Sequence, residues 1–279
     1  MSESKRTHQG RTIRQEIEIE AAAEAVWDAW ADPEQIAGWW VDGAEGVCAA
    51  GEVLTWIWKD MGYEIPVPVL EAERGKSIVL GGEAPGRGPF LQEIELQQEG
   101  GTTRLRLANS GFPDGAEWDD EFEGVDSGWA LSLATLKHWL EQGYPNERTN
   151  TLRWHAAQFE YEQLIANYDT AAGLRSWLCE QVELEREPLA QGDRVRLTLP
   201  CGESLEGHVL ARSRRELLLS WPQARATLAF KAFAMGPAGR QIGVHLNTWG
   251  LEPDRLDAIR GDLGDALERL VARYAAQTA

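Results

Sequence analysis

Three features of the sequence predict an α+β fold made of two tandem units. Segments with period-two alternation recur in the same order in both halves. Each half closes on an amphipathic helix, and a polar stretch following a helix stop separates the halves. Helices segregated from a run of antiparallel strands are the mark of α+β architecture. The expected units are residues 10–145 and 151–279, joined near GYPNERTN (143–150).

The first unit opens on TIRQEIEIE, where Ile13, Ile17 and Ile19 fall on one face of a strand. The second is expected to open on AQFEYEQLI, with Phe159 and Tyr161 alternating likewise. A Trp-bearing helical stretch follows each. Next comes a glycine–acid turn entering a strand, GEVLTWIW from Gly51 and GDRVRLTL from Gly192. The β-rich runs SIVLGG (from Ser77) and ELLLSW (from Glu216) follow, and the last strands end in LANSGF and HLNTWGL. Offsets of 142 residues (Ile17 to Phe159), 141 (Gly51 to Gly192) and 139 (Gly111 to Gly250) hold register along the chain, which points to a tandem duplication.

The closing helices carry the strongest periodicity. Trp129, Leu133, Leu136 and Leu140 recur at helical spacing before Gly143 and Pro145. Leu256, Ile259, Leu263, Leu267, Leu270 and Tyr274 form one stripe behind Pro253.

Between the first strand and the rest of the first unit lies WADPEQIAGWW. Ala22–Ala31 is rich in alanine and favours helix. Asp32 suits an N-cap, because its carboxylate can accept from free amides of the next turn. Pro33 suits the first helical position, where no amide donor is needed. Gln35 sits three residues after the cap, as in a capping box. The stretch therefore reads as a helix–break–helix joint that crowds Trp27, Trp30, Trp39 and Trp40. On the following strand Trp56 and Trp58 share a face, with Ile57 on the other.

The segments Val26–Trp27, Asp32–Pro33–Glu34, Trp39–Trp40, Ser110–Gly111–Phe112 and Gly128–Trp129, in that order, resemble the START-like, helix-grip superfamily. The subgroup they resemble is the C-terminal-like domain of activators of the heat-shock-protein-ninety ATPase. The resemblance covers about residues 10–143. It implies a curved antiparallel sheet gripping a long C-terminal helix, with a cavity between them. The second half departs from the pattern: NYDTAAGLRSWLCE lacks the DPE triplet, holds one tryptophan and leaves room for one helix rather than two. It reads as a degenerate copy.

Composition narrows the function. The formal net charge is −18. Residues 1–150 hold 28 acidic and 12 basic side chains, and the remainder 17 and 15, so the first half carries nearly all of it. A surface this negative repels phosphate backbones and anionic lipid, which argues against nucleic-acid binding. No apolar run is long enough to span a bilayer. The start MSESKRTHQG is polar and lacks the apolar core of a secretory signal. Cys48, Cys179 and Cys201 match no metal spacing and suit a reduced, cytoplasmic protein.

Other segments carry little chemistry. The acidic run DGAEWDDEFEGVD (114–126) lacks the ligand order of a calcium loop and reads as a solvated loop. GGEAPGRGPF (81–90) lacks the GK[ST] ending of a phosphate loop and reads as a hairpin turn or pocket rim. The histidines at 7, 138, 155, 208 and 245 are scattered, with no metal-ligand spacing. No catalytic residue, metal or cofactor is expected.

The leading expectation is non-enzymatic binding of a small hydrophobic or aromatic molecule in the first unit. Its lining would be Trp27, Trp39, Trp40, Trp56, Trp58, Phe112, Trp129, Leu133 and Leu136. Taken singly, each indole fits a packed core as well as a ligand wall; as a set they suggest a partial pocket. Two other readings stay open: a co-chaperone-like module meeting a protein partner through the acidic first half, and an enzyme of cyclase or aromatase type. Fold alone does not choose among them.

Overall fold

Residues 10–59, 62–84, 88–234 and 240–275 are described by a computed structural model. Two seven-stranded antiparallel sheets organise the chain. The first half contains β1 (Arg11–Ile19), α1 (Ala23–Ala31), α2 (Pro33–Trp39), β2 (Gly43–Gly46), β3 (Val53–Trp58), β4 (Tyr63–Glu73), β5 (Ser77–Ala84), β6 (Gly88–Glu99), β7 (Thr102–Phe112) and α3 (Asp119–Gln142). The second contains β8 (Thr149–Ala156), α4 (Tyr161–Asp169), α5 (Ala171–Arg175), β9 (Gln181–Leu184), β10 (Arg194–Thr198), β11 (Ser204–Arg212), β12 (Leu217–Trp221), β13 (Ala226–Ala234), β14 (Arg240–Thr248) and α6 (Pro253–Ala275).

The strand orders are β1-β7-β6-β5-β4-β3-β2 and β8-β14-β13-β12-β11-β10-β9, the same path taken twice. Local details repeat as well. Gly51 and Gly192 both adopt left-handed φ, of 90° and 89°. Each donates its amide to a valine carbonyl, Val69 or Val209, at 2.9 Å. An irregularity in the strand ladder follows each of these valines. Only glycine takes such a φ without strain, so the turn that starts β3 and β10 needs it.

The helix–break–helix joint forms as its residues dictate. The Asp32 carboxylate accepts from the amides of Glu34 (2.8 Å) and Gln35 (3.4 Å), with Pro33 at the first helical position. The joint also repeats, contrary to the one-helix expectation for the second half. α1 and α4 are both nine residues long, at a shift of 138 (Ala23 to Tyr161). Thr170 caps α5 through the Gly173 amide, as Asp32 caps α2.

Two further expectations are corrected. Tyr161–Ile165 lies in a helix, and the opening strand of the second half is Thr149–Ala156 instead. The acidic run is not all loop, since α3 begins at Asp119 and extends for 24 residues. Asp119, Asp120 and Glu121 stand in its first turn, where negative charge is favoured by the unpaired amides and the helix dipole. Of GGEAPGRGPF, residues 85–87 lie outside the described residues, and the flanks form the ends of β5 and β6.

By backbone proximity, the described residues up to 129, with 139–146, make one compact unit, and residues 130–138 with the described residues from 147 on make the other. In the second unit the α6 stripe Leu256, Ile259, Leu263, Leu267, Leu270 and Tyr274 is buried against β-strand residues such as Val195, Leu197, Leu219, Phe230 and Leu246.

Candidate functional site

In the first unit, four elements deliver indoles to one place. α1 supplies Trp30, the end of α2 supplies Trp39 and Trp40, and β3 supplies Trp56 and Trp58; α3 adds Trp129. Trp40 is the hub. Its ring centroid lies 4.7 Å from Trp56, 5.0 Å from Trp129, 5.7 Å from Trp39 and 5.9 Å from both Trp30 and Trp58. Trp30 also meets Trp39 at 5.0 Å and Trp129 at 5.8 Å, and Trp56 meets Trp58 at 6.3 Å. Several pairs are edge-to-face, the arrangement that an aromatic quadrupole favours by about 0.5–1.5 kcal/mol beyond area burial.

The cluster grades from wet to dry. Trp40 and Trp58 are half-buried, whereas Trp30, Trp39, Trp56 and Trp129 are buried. Trp58 also lines a surface pocket of about 640 Å³, together with Ile57, Lys59, Gly62 and Glu64.

The indole nitrogens differ in their partners. Trp39 Nε1 donates to the Ala29 carbonyl at 2.8 Å, which locks α2 onto α1. Trp30 Nε1 is buried and has no hydrogen-bond acceptor among the described residues. A buried donor left unmade costs about 1–3 kcal/mol, and neighbouring ring faces are only weak acceptors.

Not all the expected lining residues join this cluster. Trp27 stands apart: its Nε1 donates to the Ser77 carbonyl at 3.4 Å and Arg74 lies 5.2 Å over its ring. Phe112 packs edge-on against Phe122 at 5.1 Å, with Arg11 4.6 Å over the Phe122 ring. Leu133 and Leu136 are buried on α3, about one and two turns beyond Trp129.

A second feature, without any local signal in the sequence, lies on the inner face of the first sheet. Phe90, Gln92, Ile94 and Leu96 alternate inward on β6, and Thr103, Leu105, Leu107 and Asn109 on β7. Gln92 pairs directly with Asn109 across the two strands. Their side chains are 1% and 4% exposed, yet Gln92 Nε2 and Asn109 Oδ1 have no hydrogen-bond partner among the described residues. Along β1, Gln15 donates to the Asp126 carboxylate of α3 at 2.6 Å, a polar contact on the same face.

The corresponding positions of the second half are filled differently. At the shift of 138, Trp39 becomes Trp177, Trp30 becomes Tyr168 and Trp40 becomes Leu178; at 141, Trp56 and Trp58 become Leu197 and Leu199. All five belong to one continuous apolar core. The Tyr168 hydroxyl, unlike the Trp30 indole, has a partner, the Lys231 carbonyl at 3.4 Å.

Residues 20–141 match the family described as Activator of Hsp90 ATPase homolog 1-like protein. The first half is thus similar to that family. The match takes in the Trp-rich joint, strands β2–β7 and nearly all of α3. No curated protein matches the chain. Solved structures with a similar fold include a Staphylococcus saprophyticus protein, SSP2350, at 21% identity, covering 48% of this chain and 93% of its own, with a TM-score of 0.42. The Aha1 dimer from Colwellia psychrerythraea is 20% identical over 47% of this chain and 96% of its own, TM-score 0.42. The di-domain ARO/CYC protein BexL of the BE-7585A biosynthetic pathway is 16% identical over 96% of this chain and 94% of its own, TM-score 0.44.

Thiol and metal chemistry find little footing. Burial pushes the Cys48 thiol up to about 11. Cys179 is likewise pushed to about 11, burial being the main cause. Such thiols carry little thiolate near neutral pH. Among the described residues no three of His, Cys, Asp or Glu are grouped to hold a metal. Among them, too, no helix is long and apolar enough to cross a membrane.

Proposed function

We propose that the Aha1-like domain, residues 10–145, binds a small hydrophobic or aromatic molecule without chemically transforming it. The guest enters beside Trp58 and rests against the hub indole Trp40. One observation supports this reading: the Trp30 N–H sits buried in an aromatic cluster with no acceptor among the described residues. Displacing a ring contact by a flat guest that carries an acceptor would satisfy that donor and retain the aromatic packing. The second half supports the contrast, because the equivalent positions are closed with leucine and the tyrosine hydroxyl is already bonded.

The test is a titration of the full chain with 2-ethylnaphthalene and 2-acetonaphthone, read by tryptophan emission and by native mass spectrometry. The reading expects saturation at one molecule per chain, weakened at least fivefold by Trp58→Ala. Linear, unsaturable emission changes with both probes and no bound species by mass would end it.

A further inference from the structure

The aromatic cluster accounts for apolar contact but not for the paired amides on the inner face of the sheet. Gln92 and Asn109 are directly opposed on β6 and β7, and both are more than nine-tenths buried. Their flanking inward neighbours, Phe90, Ile94 and Leu107, are apolar and buried. An inner sheet face of this kind is ordinarily apolar throughout, because a buried amide without partners is unfavourable. Here two amides stand side by side, and Gln92 Nε2 and Asn109 Oδ1 remain unpaired.

The second sheet fills the corresponding positions differently. Its last strand carries Leu246 where β7 has Leu107, and Thr248 where β7 has Asn109, at the shift of 139. Asn247, one residue away, does have partners: it donates to Thr227 Oγ1 at 3.3 Å and accepts from Arg148 at 2.8 Å. The second half keeps one unpaired amide atom of its own, Gln241 Oε1 near the start of β14, but no two opposed amides at these central positions.

We infer that Gln92 and Asn109 form a polar anchor for an uncharged guest that presents a hydrogen-bond donor and acceptor side by side, such as a primary carboxamide on a flat aromatic frame. This rests on the small-molecule reading given above. Each side chain is an amide, so the pair offers donor and acceptor ends at adjacent strand positions. The anchor itself carries no charge. The surrounding half of the chain holds 28 acidic against 12 basic residues, so it disfavours an anion. A guest lacking such groups would leave the amides unpaired, and a site built that way discriminates strongly between the two.

Four probes of one frame separate the possibilities in the full-length protein: 2-naphthamide, 2-naphthoate, 2-acetonaphthone and 2-ethylnaphthalene. The amide is expected to bind at least tenfold more tightly than the carboxylate or the hydrocarbon. The near-isosteric changes Gln92→Met and Asn109→Leu are expected to erase that preference while 2-ethylnaphthalene binds as before. If either variant fails to fold, the side-chain amide resonances of the wild-type protein decide instead: 2-naphthamide should shift those of Gln92 and Asn109, and 2-ethylnaphthalene should not. Equal binding of amide and hydrocarbon, with unmoved amide resonances, overturns the anchor but leaves small-molecule binding intact. So does a preference that survives both substitutions, or variants that gain thermal stability without any change in selectivity, which would show the amides to be an uncompensated cost of the fold rather than a binding device. Failure of every probe to saturate overturns the anchor and the small-molecule reading together.

Discussion

Trp39 and Trp177 make the same hydrogen bond in the two halves. Each indole donates to the backbone carbonyl ten residues earlier, Ala29 at 2.8 Å and Asn167 at 2.9 Å. Ala29 and Asn167 are themselves 138 residues apart, the same shift that relates the two tryptophans. In both halves the bond ties the second helix of the joint back onto the first. Replacing either tryptophan by phenylalanine removes the donor and part of a buried ring. Each change is expected to cost about 2–3 kcal/mol. Urea unfolding followed by amide hydrogen exchange should localise the loss to the half that carries the substitution.

Trp30 provides the counter-case. Trp30→Phe trims a ring of the same size, but it deletes a donor that has no acceptor. It should therefore be milder than Trp39→Phe by about 1–2 kcal/mol in the same urea series. Equal losses would mean that the Trp30 N–H is satisfied, and the main support for a guest would go with it.

The joint also depends on its caps. Asp32→Ala leaves the amides of Glu34 and Gln35 without their shared acceptor. A loss of about 1 kcal/mol is expected, with Asp32→Ser restoring most of it. Thermal unfolding of the three proteins is the check.

His245 predicts a pH dependence. Its pKa is held well below the usual histidine value of 6.5, first by burial and then by the positive charges of Lys231 and Arg148. Its Nε2 lies 2.6 Å from Asn150 Oδ1. The folded protein thus keeps this ring neutral while the unfolded chain protonates it at about 6.5. Above that pH the two states bind the same number of protons and the group contributes no slope. Below it the unfolded state takes up more, so stability falls with pH until the depressed folded value is passed. Stability curves between pH 5 and pH 8 should show that decline in the wild-type protein and a shallower one in His245→Gln.

Much of the fold was legible because it is written in local chemistry. Asp32–Pro33 marked the helix break, the Gly51 and Gly192 turns marked the strands they open, and the leucine stripe of α6 marked the closing helix. The second joint was misread for a local reason too. Phe159 and Tyr161 alternate like a strand, but Tyr161, Leu164, Ile165 and Tyr168 also recur at helical spacing, and burial of all four shows which period governs. β8 escaped notice because it lies at a sheet edge and is largely polar, so its pairing with β14 leaves no clear alternation. The Gln92–Asn109 pair could not have been found locally. The two residues are distant in sequence, and only the β6–β7 register sets them face to face. Membership of the indole cluster was partly visible from the run itself, yet helix orientation alone decided that Trp30 joined it and Trp27 did not.

Neither sheet borrows a strand from the other half. A duplicated frame wired in that way can be edited one copy at a time. Leucines could seal one interior without disturbing a single backbone pairing in the other, leaving the sister copy free to keep its tryptophans and its unquenched amides.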